Sequence, residues 1–269
     1  TGARACPTPP NTPPACANAR YYAALLDRAE DTYLEGKPLE ALVLFDQERQ
    51  QTDAVWRWLL GQVAGDAPHA DAERDQLILD MANATVYTGD MRYSTAERIP
   101  HLEAQAAAAQ RLGRKKEEGN ALGNLGNAHY ALGDARRAIT YHEQALVIRR
   151  EIGDRRGEGS ALGNLGIAYK ELGDIPQAIA YYEQSLEVKR ITGDEAGVAR
   201  TCWNLGLLYE EQGDLAQAAQ LMQVAADFMQ QIGHAVYAKQ FADGLARVRG
   251  KVSGDRGQVS GGAGSQRNE

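Results

Sequence analysis

The sequence predicts an all-α fold, a right-handed α-solenoid built from antiparallel helix pairs. Three observations support this prediction. A 40-residue pattern recurs three times without a gap over residues 113–232. Each repeat contains Gly-Asp steps of the kind that end one helix and begin the next. Aromatic residues make up only 7% of the 269 residues, and alanine and glycine are abundant. This composition suits close packing between helices better than the core of a β-sheet.

The chain begins with two segments that do not follow the repeat. Residues 1–19 contain five of the nine prolines and are expected to be irregular. Residues 20–70 are expected to form a helical capping or linker module of two helices. Gly36 would end the first of these helices, and Pro38 would begin the second, because proline is tolerated in the first turn of a helix.

Residues 71–112 are expected to form a degenerate helix pair that precedes the regular repeats. Gly89, followed by aspartate, would end its first helix. Ser94 and Glu97 have the spacing of a capping box, which would begin the second helix. Pro100 follows six residues after Ser94, so we expect a kink or a late helix start there.

The three repeats span residues 113–152, 153–192 and 193–232 and are expected to form one helix pair each. The first two are identical at 20 of their 40 positions. In each repeat, a glycine and an aspartate divide the two helices, at Gly173 and Asp174 in the second. Glycine enters the left-handed conformation that ends a helix, and aspartate caps the next one.

Apolar and small residues within each repeat follow helical spacing. In the second repeat Leu162, Leu165 and Tyr169 lie on one face of the first helix. A glycine recurs at one position of that face, at Gly126, Gly166 and Gly206. Glycine costs a helix roughly 1 kcal/mol, so we expect it there because a larger side chain would push the paired helices apart.

This pattern resembles the tetratricopeptide repeat (TPR). In the second repeat the matching residues are Leu165, Gly166, Tyr169, Gly173, Ala178 and Tyr182. The 40-residue period is similar to that of the subgroup found in Leu-Gly-Asn repeat proteins and kinesin light chains, and residues 122–127 contain the Leu-Gly-Asn sequence twice. The resemblance implies that the first helices line a concave groove in which a protein or peptide partner binds.

The segments 21–36, 41–58 and 97–113 resemble the stretch that leads into the TPR array of bacterial STAND-type signalling NTPases. That resemblance implies that this chain is the sensor part of a larger signalling protein. The sequence contains no phosphate-binding loop of the G-x-x-x-x-G-K-[ST] type. After the repeats, residues 233–249 are expected to form a capping helix and residues 250–269 a disordered tail.

The residues that usually carry chemistry are absent or scattered. The net charge of −7 argues against a nucleic-acid or anionic-membrane partner. No histidines or cysteines have metal-ligand spacing, so we expect no metal and no cofactor. His129 and His142 occupy repeat positions that favour packing over catalysis. We therefore expect a non-catalytic protein, without a membrane span and cytoplasmic in location.

The candidate site is a column of asparagines on the first helices. Asn124, Asn164 and Asn204 recur at one repeat position, where their amides can donate and accept hydrogen bonds. Variable neighbours would set specificity. The full predicted groove is Asn120, Asn124, Asn127, Tyr130, Asn164, Lys170, Arg200, Asn204 and Glu210. An asparagine ladder between adjacent helices, which touches no ligand, is an equally favoured interpretation of the column.

Two other functions stay open at this point. The chain could be a structural, self-associating array without a ligand, which an exposed apolar patch at either end would favour. It could also be an enzyme with an unrecognised site in residues 20–90, although no catalytic constellation supports this alternative. Of the three functions, we expect the chain to be a protein-interaction module.

Overall fold

The computed structural model describes residues 14–61 and 72–260, and the side chains of residues 16–61 and 72–252. Every regular element in these residues is an α-helix, which confirms the predicted all-α class of antiparallel helix pairs. The chain divides into two compact units, Thr1–Ile148 and Arg149–Glu269. Each unit is described by itself.

The first unit contains six complete helices and most of a seventh. Their bounds are α1 Pro14–Leu34, α2 Pro38–Leu59, α3 Ala72–Asn83, α4 Tyr87–Arg92, α5 Thr95–Arg111, α6 Lys115–Ala131 and α7 Ala135–Glu151. Helix α1 packs against α2 and α3, α3 packs against α5, and α5 packs against α6. The core at the N-terminal end contains the fully buried Leu26, Phe45 and Trp56.

The second unit contains the regular helix pairs of the second and third repeats and a closing helix. Their bounds are α8 Arg155–Leu172, α9 Ile175–Ile191, α10 Glu195–Gln212, α11 Leu215–Gln231 and α12 Ala235–Ser260. Each helix packs against the next along the chain.

The predicted helix boundaries inside the repeats are confirmed. Gly173 and Gly213 end α8 and α10 in the left-handed conformation, with φ of 85° at both. The Asp174 carboxylate accepts a hydrogen bond from the Gln177 amide, which caps α9. These signals act within a few residues of the helix end, so the sequence alone is sufficient to place them.

The first and last described helices differ from the prediction, and the predicted irregular residues 1–13 and tail residues 261–269 lie outside the described residues. Helix α1 begins at Pro14, inside the segment 1–19 that we predicted to be irregular, because a proline is tolerated in the first turn of a helix. Helix α12 continues to Ser260, past the predicted end at residue 249. Lys251 in this extension forms an ion pair with Glu210 of α10, a contact that the local sequence does not reveal.

The degenerate helix pair of residues 71–112 also differs from the prediction. Gly89 does not end a helix but lies buried inside α4, where an added Cβ would come within 3.1 Å of Thr85 Cβ. The capping box of Ser94 and Glu97 is confirmed, and it begins α5 at Thr95. The predicted late start is therefore wrong, and Pro100 lies within the helix.

Candidate functional site

Close packing of the two helices in each repeat determines which face of the first helix remains available. A Cβ added to Gly166 would come within 2.8 Å of the Tyr182 ring, and one added to Gly206 within 2.8 Å of Met222 Cγ. The asparagine of the column lies two residues before this glycine. Two residues turn an α-helix through about 200°, so Asn164 lies on the side away from the partner helix.

In the first unit the predicted groove residues lie on α6. Asn120, Asn124, Asn127 and Tyr130 are all exposed, with 39% of Tyr130 accessible to solvent. Their spacing of three and four residues places them along one face of the helix. Asn124 additionally lines a cavity in the N-terminal part of this unit.

In the second unit the predicted residues lie on α8 and α10. Asn164 and Asn204 are half-buried, and Arg200 is exposed. Lys170 Nζ lies 3.6 Å from Glu211 Oε1, which joins α8 to α10 at the surface. The side chain of Asn204 makes no hydrogen bond to the described residues, whereas Asn164 has a partner within the chain. The three repeats therefore do not use the asparagine in the same way.

Glu210 is engaged within the chain. Its carboxylate accepts hydrogen bonds from Arg247 Nη2 and Lys251 Nζ, each at 2.7 Å, and both donors lie on α12. The hydrogen bond from Arg247 is the largest cause that lowers the pKa of Glu210. The predicted groove residue thus attaches the closing helix. Sequence reasoning missed this role because the contact joins residues about 40 positions apart, and because Lys251 lies beyond the predicted end of the helix at residue 249.

Sequence reasoning also missed a buried lysine in the second unit. Lys189 on α9 is 2% exposed, and its ammonium donates a 3.0 Å hydrogen bond to Thr201 Oγ1 on α10. Burial lowers the pKa of Lys189 to about 8. Gly159 and Gly163 make room for the side chain, since a Cβ at either would come within 3.2 Å of it.

A cavity of about 160 Å³ lies between α2, α3, α4, α5 and α6 of the first unit. The imidazole of His101 stacks on the Trp56 indole in its wall, with ring centroids 4.1 Å apart and planes 11° apart. Burial lowers the pKa of His101 to about 4, so this ring is neutral at pH 7. Arg98 and Asp90 form an ion pair, and both line the cavity.

His129 and His142 pack in the interior, as their repeat positions predict. They are 4% and 2% exposed, and the His129 ring stacks on Tyr141 with centroids 5.2 Å apart. Among the described residues, no group of three or more His, Cys, Asp or Glu side chains could hold a metal ion. Within the same ranges, no helix is both long and apolar enough to cross a membrane.

Comparison with known proteins identifies the repeats. The family model described as tetratricopeptide repeat matches residues 117–191 and, in a second overlapping alignment, residues 161–231. Residues 117–231 therefore match tetratricopeptide repeats. These TPR units coincide with the helix pairs α6 to α11. A comparison with curated protein sequences finds no match.

Solved structures share the TPR fold at low sequence identity. A STAND protein with a tetratricopeptide repeat sensor from Pyrococcus horikoshii is 16% identical, with a TM-score of 0.64, over 89% of this chain and 34% of that one. This chain thus spans about a third of that protein. The apo form of RapI is 12% identical, with a TM-score of 0.63, over 82% and 74% of the two chains.

A kinesin light chain protein with nearly identical TPR-like repeats, from Podosopora anserina, has the same fold. It is 18% identical, with a TM-score of 0.53, over 80% of this chain and 97% of that one. The resemblance to the kinesin-light-chain subgroup and to STAND sensors is confirmed at the level of the fold.

Proposed function

We propose that this TPR chain is a non-catalytic interaction module that binds a peptide or a folded protein along the outward faces of its first helices. The observation that carries the proposal is the set of polar side chains that these faces leave uncommitted. The amides of Asn124 and Asn204 make no hydrogen bond within the part of the chain that the structure describes. Each offers two donors and an acceptor, which suits a peptide backbone.

The asparagines of the column differ in which of our two interpretations, a ligand-binding site or a ladder between helices, they favour. Asn164 has a partner inside the chain, as the structural ladder requires. Asn124 and Asn204 have none, which favours a ligand for these two positions. Arg200 is exposed one helical turn before Asn204 and adds positive charge there, so the proposed site in the second unit suits a partner segment with acidic residues.

We further propose that the module is the sensor part of a larger signalling protein. The STAND protein from Pyrococcus horikoshii carries its tetratricopeptide repeats as a sensor, and this chain spans a third of it. A cytoplasmic location and the absence of a nucleic-acid partner stay predictions.

Site-specific crosslinking tests the interaction function. A photoreactive benzoylphenylalanine replaces Arg200, which is exposed on the first helix α10, or Gln220, which is exposed on the second helix α11 as the matched control. Both proteins are irradiated in lysate of the source organism. We expect one discrete adduct from position 200, weakened by the additional change Asn204→Ala, and none from position 220.

Equal labelling at positions 200 and 220, or no adduct at either, would contradict partner binding on the first helices. Light scattering after size-exclusion chromatography distinguishes the interaction module from a self-associating array. A self-associating array would form oligomers of the purified chain without any partner, whereas the interaction module predicts a monomer.

A further inference from the structure

Helix α12 corresponds to the first helix of a pair, and no second helix follows it among the described residues. When α12 is shifted by 40 positions onto α10, Leu245 takes the place of Leu205, and Ala246 takes the place of Gly206. Gly206 is the buried glycine on which the second helix α11 packs. Ala246, by contrast, is exposed. The part of the chain that the structure describes therefore leaves this face of α12 uncovered.

The uncovered face of α12 and the neighbouring face of α11 form an open groove, which we call the α11–α12 groove. Its volume is about 740 Å³, and it is lined by Ala226 of α11 and by Leu245 and Ala246 of α12. Ala226 and Leu245 are buried and form its apolar floor. The Arg249 guanidinium on α12 donates a 2.6 Å hydrogen bond to Gln223 Oε1 on α11, which joins the two helices at the groove. The groove is thus formed by the chain itself.

The equivalent groove one repeat earlier, between α9 and α10, is filled by a helix. On α9, Leu186 stands 40 positions before Ala226. On α10, Leu205 stands 40 positions before Leu245. Leu221 of α11 packs with Leu186 and Leu205 in one buried hydrophobic cluster. The helix that belongs in such a groove is therefore the second helix of a pair.

The filled and the open groove are joined at the same repeat positions. The Tyr209 hydroxyl on α10 donates a 3.0 Å hydrogen bond to Glu183 Oε1 on α9. The residues that connect α12 to α11, Arg249 and Gln223, stand 40 positions later. This shared connection indicates that α11 and α12 are already arranged to receive a helix between them.

The second helices of the repeats show which sequence such a groove accepts. Each presents to its first helix a small residue, two large residues three and four positions later, and a small residue after seven positions. In α11 these residues are buried, and they are Ala218, Leu221, Met222 and Ala225. In α7 and α9 they are Ala138, Tyr141, His142 and Ala145, and Ala178, Tyr181, Tyr182 and Ser185. This spacing is the one by which amphipathic helices bind in apolar grooves.

The chain does not turn back into the α11–α12 groove at the place where the other first helices turn. Helices α8 and α10 end at Gly173 and Gly213, which adopt the left-handed conformation. Ser253 takes the place of Gly213, and α12 continues past it to Ser260. The usual glycine signal for the end of the helix is absent at this position. The turn that places α9 and α11 on their first helices therefore does not form here.

We propose that the α11–α12 groove binds an amphipathic helix of a partner protein, at the place that a second helix takes in the complete repeats. The apolar face of this helix has the pattern small-x-x-large-large-x-x-small. Its two large residues pack over Leu245 and Ala246, in the way that α11 packs over α10. The groove lies on a different surface from the outward faces of the first helices, so the inference goes beyond the proposed function.

The experiment uses a peptide with the sequence of the chain's own second helix as the probe. The peptide covers residues 214–231, is labelled with fluorescein, and is titrated with the full chain while its fluorescence anisotropy is measured. The matched peptide carries Leu221→Ser and Met222→Ser. We expect saturable binding of the first peptide and at least tenfold weaker binding of the second. Circular dichroism should show a gain of helix on binding, since isolated helices of this length are marginal in water.

Variants of α12 test whether the peptide lies in the α11–α12 groove. Ala246→Phe places a large side chain in the groove at an exposed position and should weaken binding of the first peptide at least tenfold. Gln240→Phe changes an exposed residue of the same helix that does not line the groove and should leave the affinity unchanged. If Ala246→Phe fails to fold, Ala242→Glu, at another exposed position that lines the groove, provides the same test.

Each other outcome overturns the proposal. Absence of binding, or equal binding of the two peptides, would show that the groove does not recognise the apolar pattern. Binding that survives Ala246→Phe would mean that the peptide exchanges with the resident helix α11. Binding only after removal of residues 261–269 would assign the groove to the chain's own C-terminal segment. A dimer of the purified chain that Ala246→Phe dissociates would assign it to a second copy. The crosslink at position 200 does not involve this groove, so the proposed function and this inference can fail separately.

Discussion

Lys189 gives the sharpest prediction about stability. Its ammonium lies between α9 and α10 and donates a hydrogen bond to the Thr201 hydroxyl. Arg200 further lowers its pKa, and Asp194 opposes the shift, but burial is the largest cause. We predict that Lys189→Met stabilises the chain at pH 7. Methionine occupies the equivalent position of the third repeat, as Met229, so the exchange suits the fold.

The magnitude follows from the pKa. Burial lowers the pKa of Lys189 from 10.5 to about 8. Each pKa unit corresponds to about 1.4 kcal/mol, so the buried ammonium costs the folded state about 3 kcal/mol below pH 8. Methionine removes this cost but also removes the hydrogen bond to Thr201, which contributes about 1 kcal/mol. We expect a net stabilisation of about 2 kcal/mol at pH 7.

The pH dependence has a definite sign. Between pH 8 and 10.5 the unfolded chain holds a proton on Lys189 that the folded chain has lost. The wild-type chain therefore becomes more stable relative to Lys189→Met as the pH rises through this window. Below pH 8 the lysine is protonated in both states, so the difference between the two proteins is constant.

Urea unfolding of both proteins from pH 7 to pH 10 measures this difference. The comparison cancels the other groups that titrate in the same range. Lys239→Met, at an exposed position of α12, is the control and should change the free energy of unfolding by less than about 0.5 kcal/mol at every pH. A Lys189→Met protein that is less stable than wild type at pH 7, with no pH dependence, would refute the reasoning.

Three further predictions concern packing, the asparagine column and the closing helix. Gly166→Leu should destabilise the chain by about 1–3 kcal/mol because the leucine overpacks against Tyr182. The control Ser160→Leu, on the exposed side of α8, should not destabilise it. A raised melting temperature of Gly166→Leu would contradict close packing at this position. Asn204→Ala should leave thermal stability unchanged but weaken partner crosslinking. Glu210→Gln should increase the rate of amide hydrogen exchange in α12 near Arg247, and the control Glu211→Gln should not. Equal exchange rates in the two variants would show that the ion pairs of Glu210 do not hold this helix.

The helix pairs of the repeats could be predicted from the sequence because their signals are local. Asp174 caps α9 by accepting from the amide of Gln177, three residues away, and Gly173 needs only its own backbone conformation to end α8. Gly166 could also be placed against the partner helix, because its 40-residue recurrence has no local explanation. The same reasoning failed at Gly89, which has the local sequence of a helix end but is buried inside α4, since packing against Thr85 determined its position.

The sequence by itself determined the fold class and the helix ends inside the repeats, because both follow from helical geometry and short-range capping. Only the tertiary structure decided that Glu210 holds α12, that Lys189 is buried, and that Trp56 and Gln105 share a cavity. Trp56 and Gln105 are 49 residues apart in the sequence. No local pattern places such residues together, since their proximity depends on how whole helices pack.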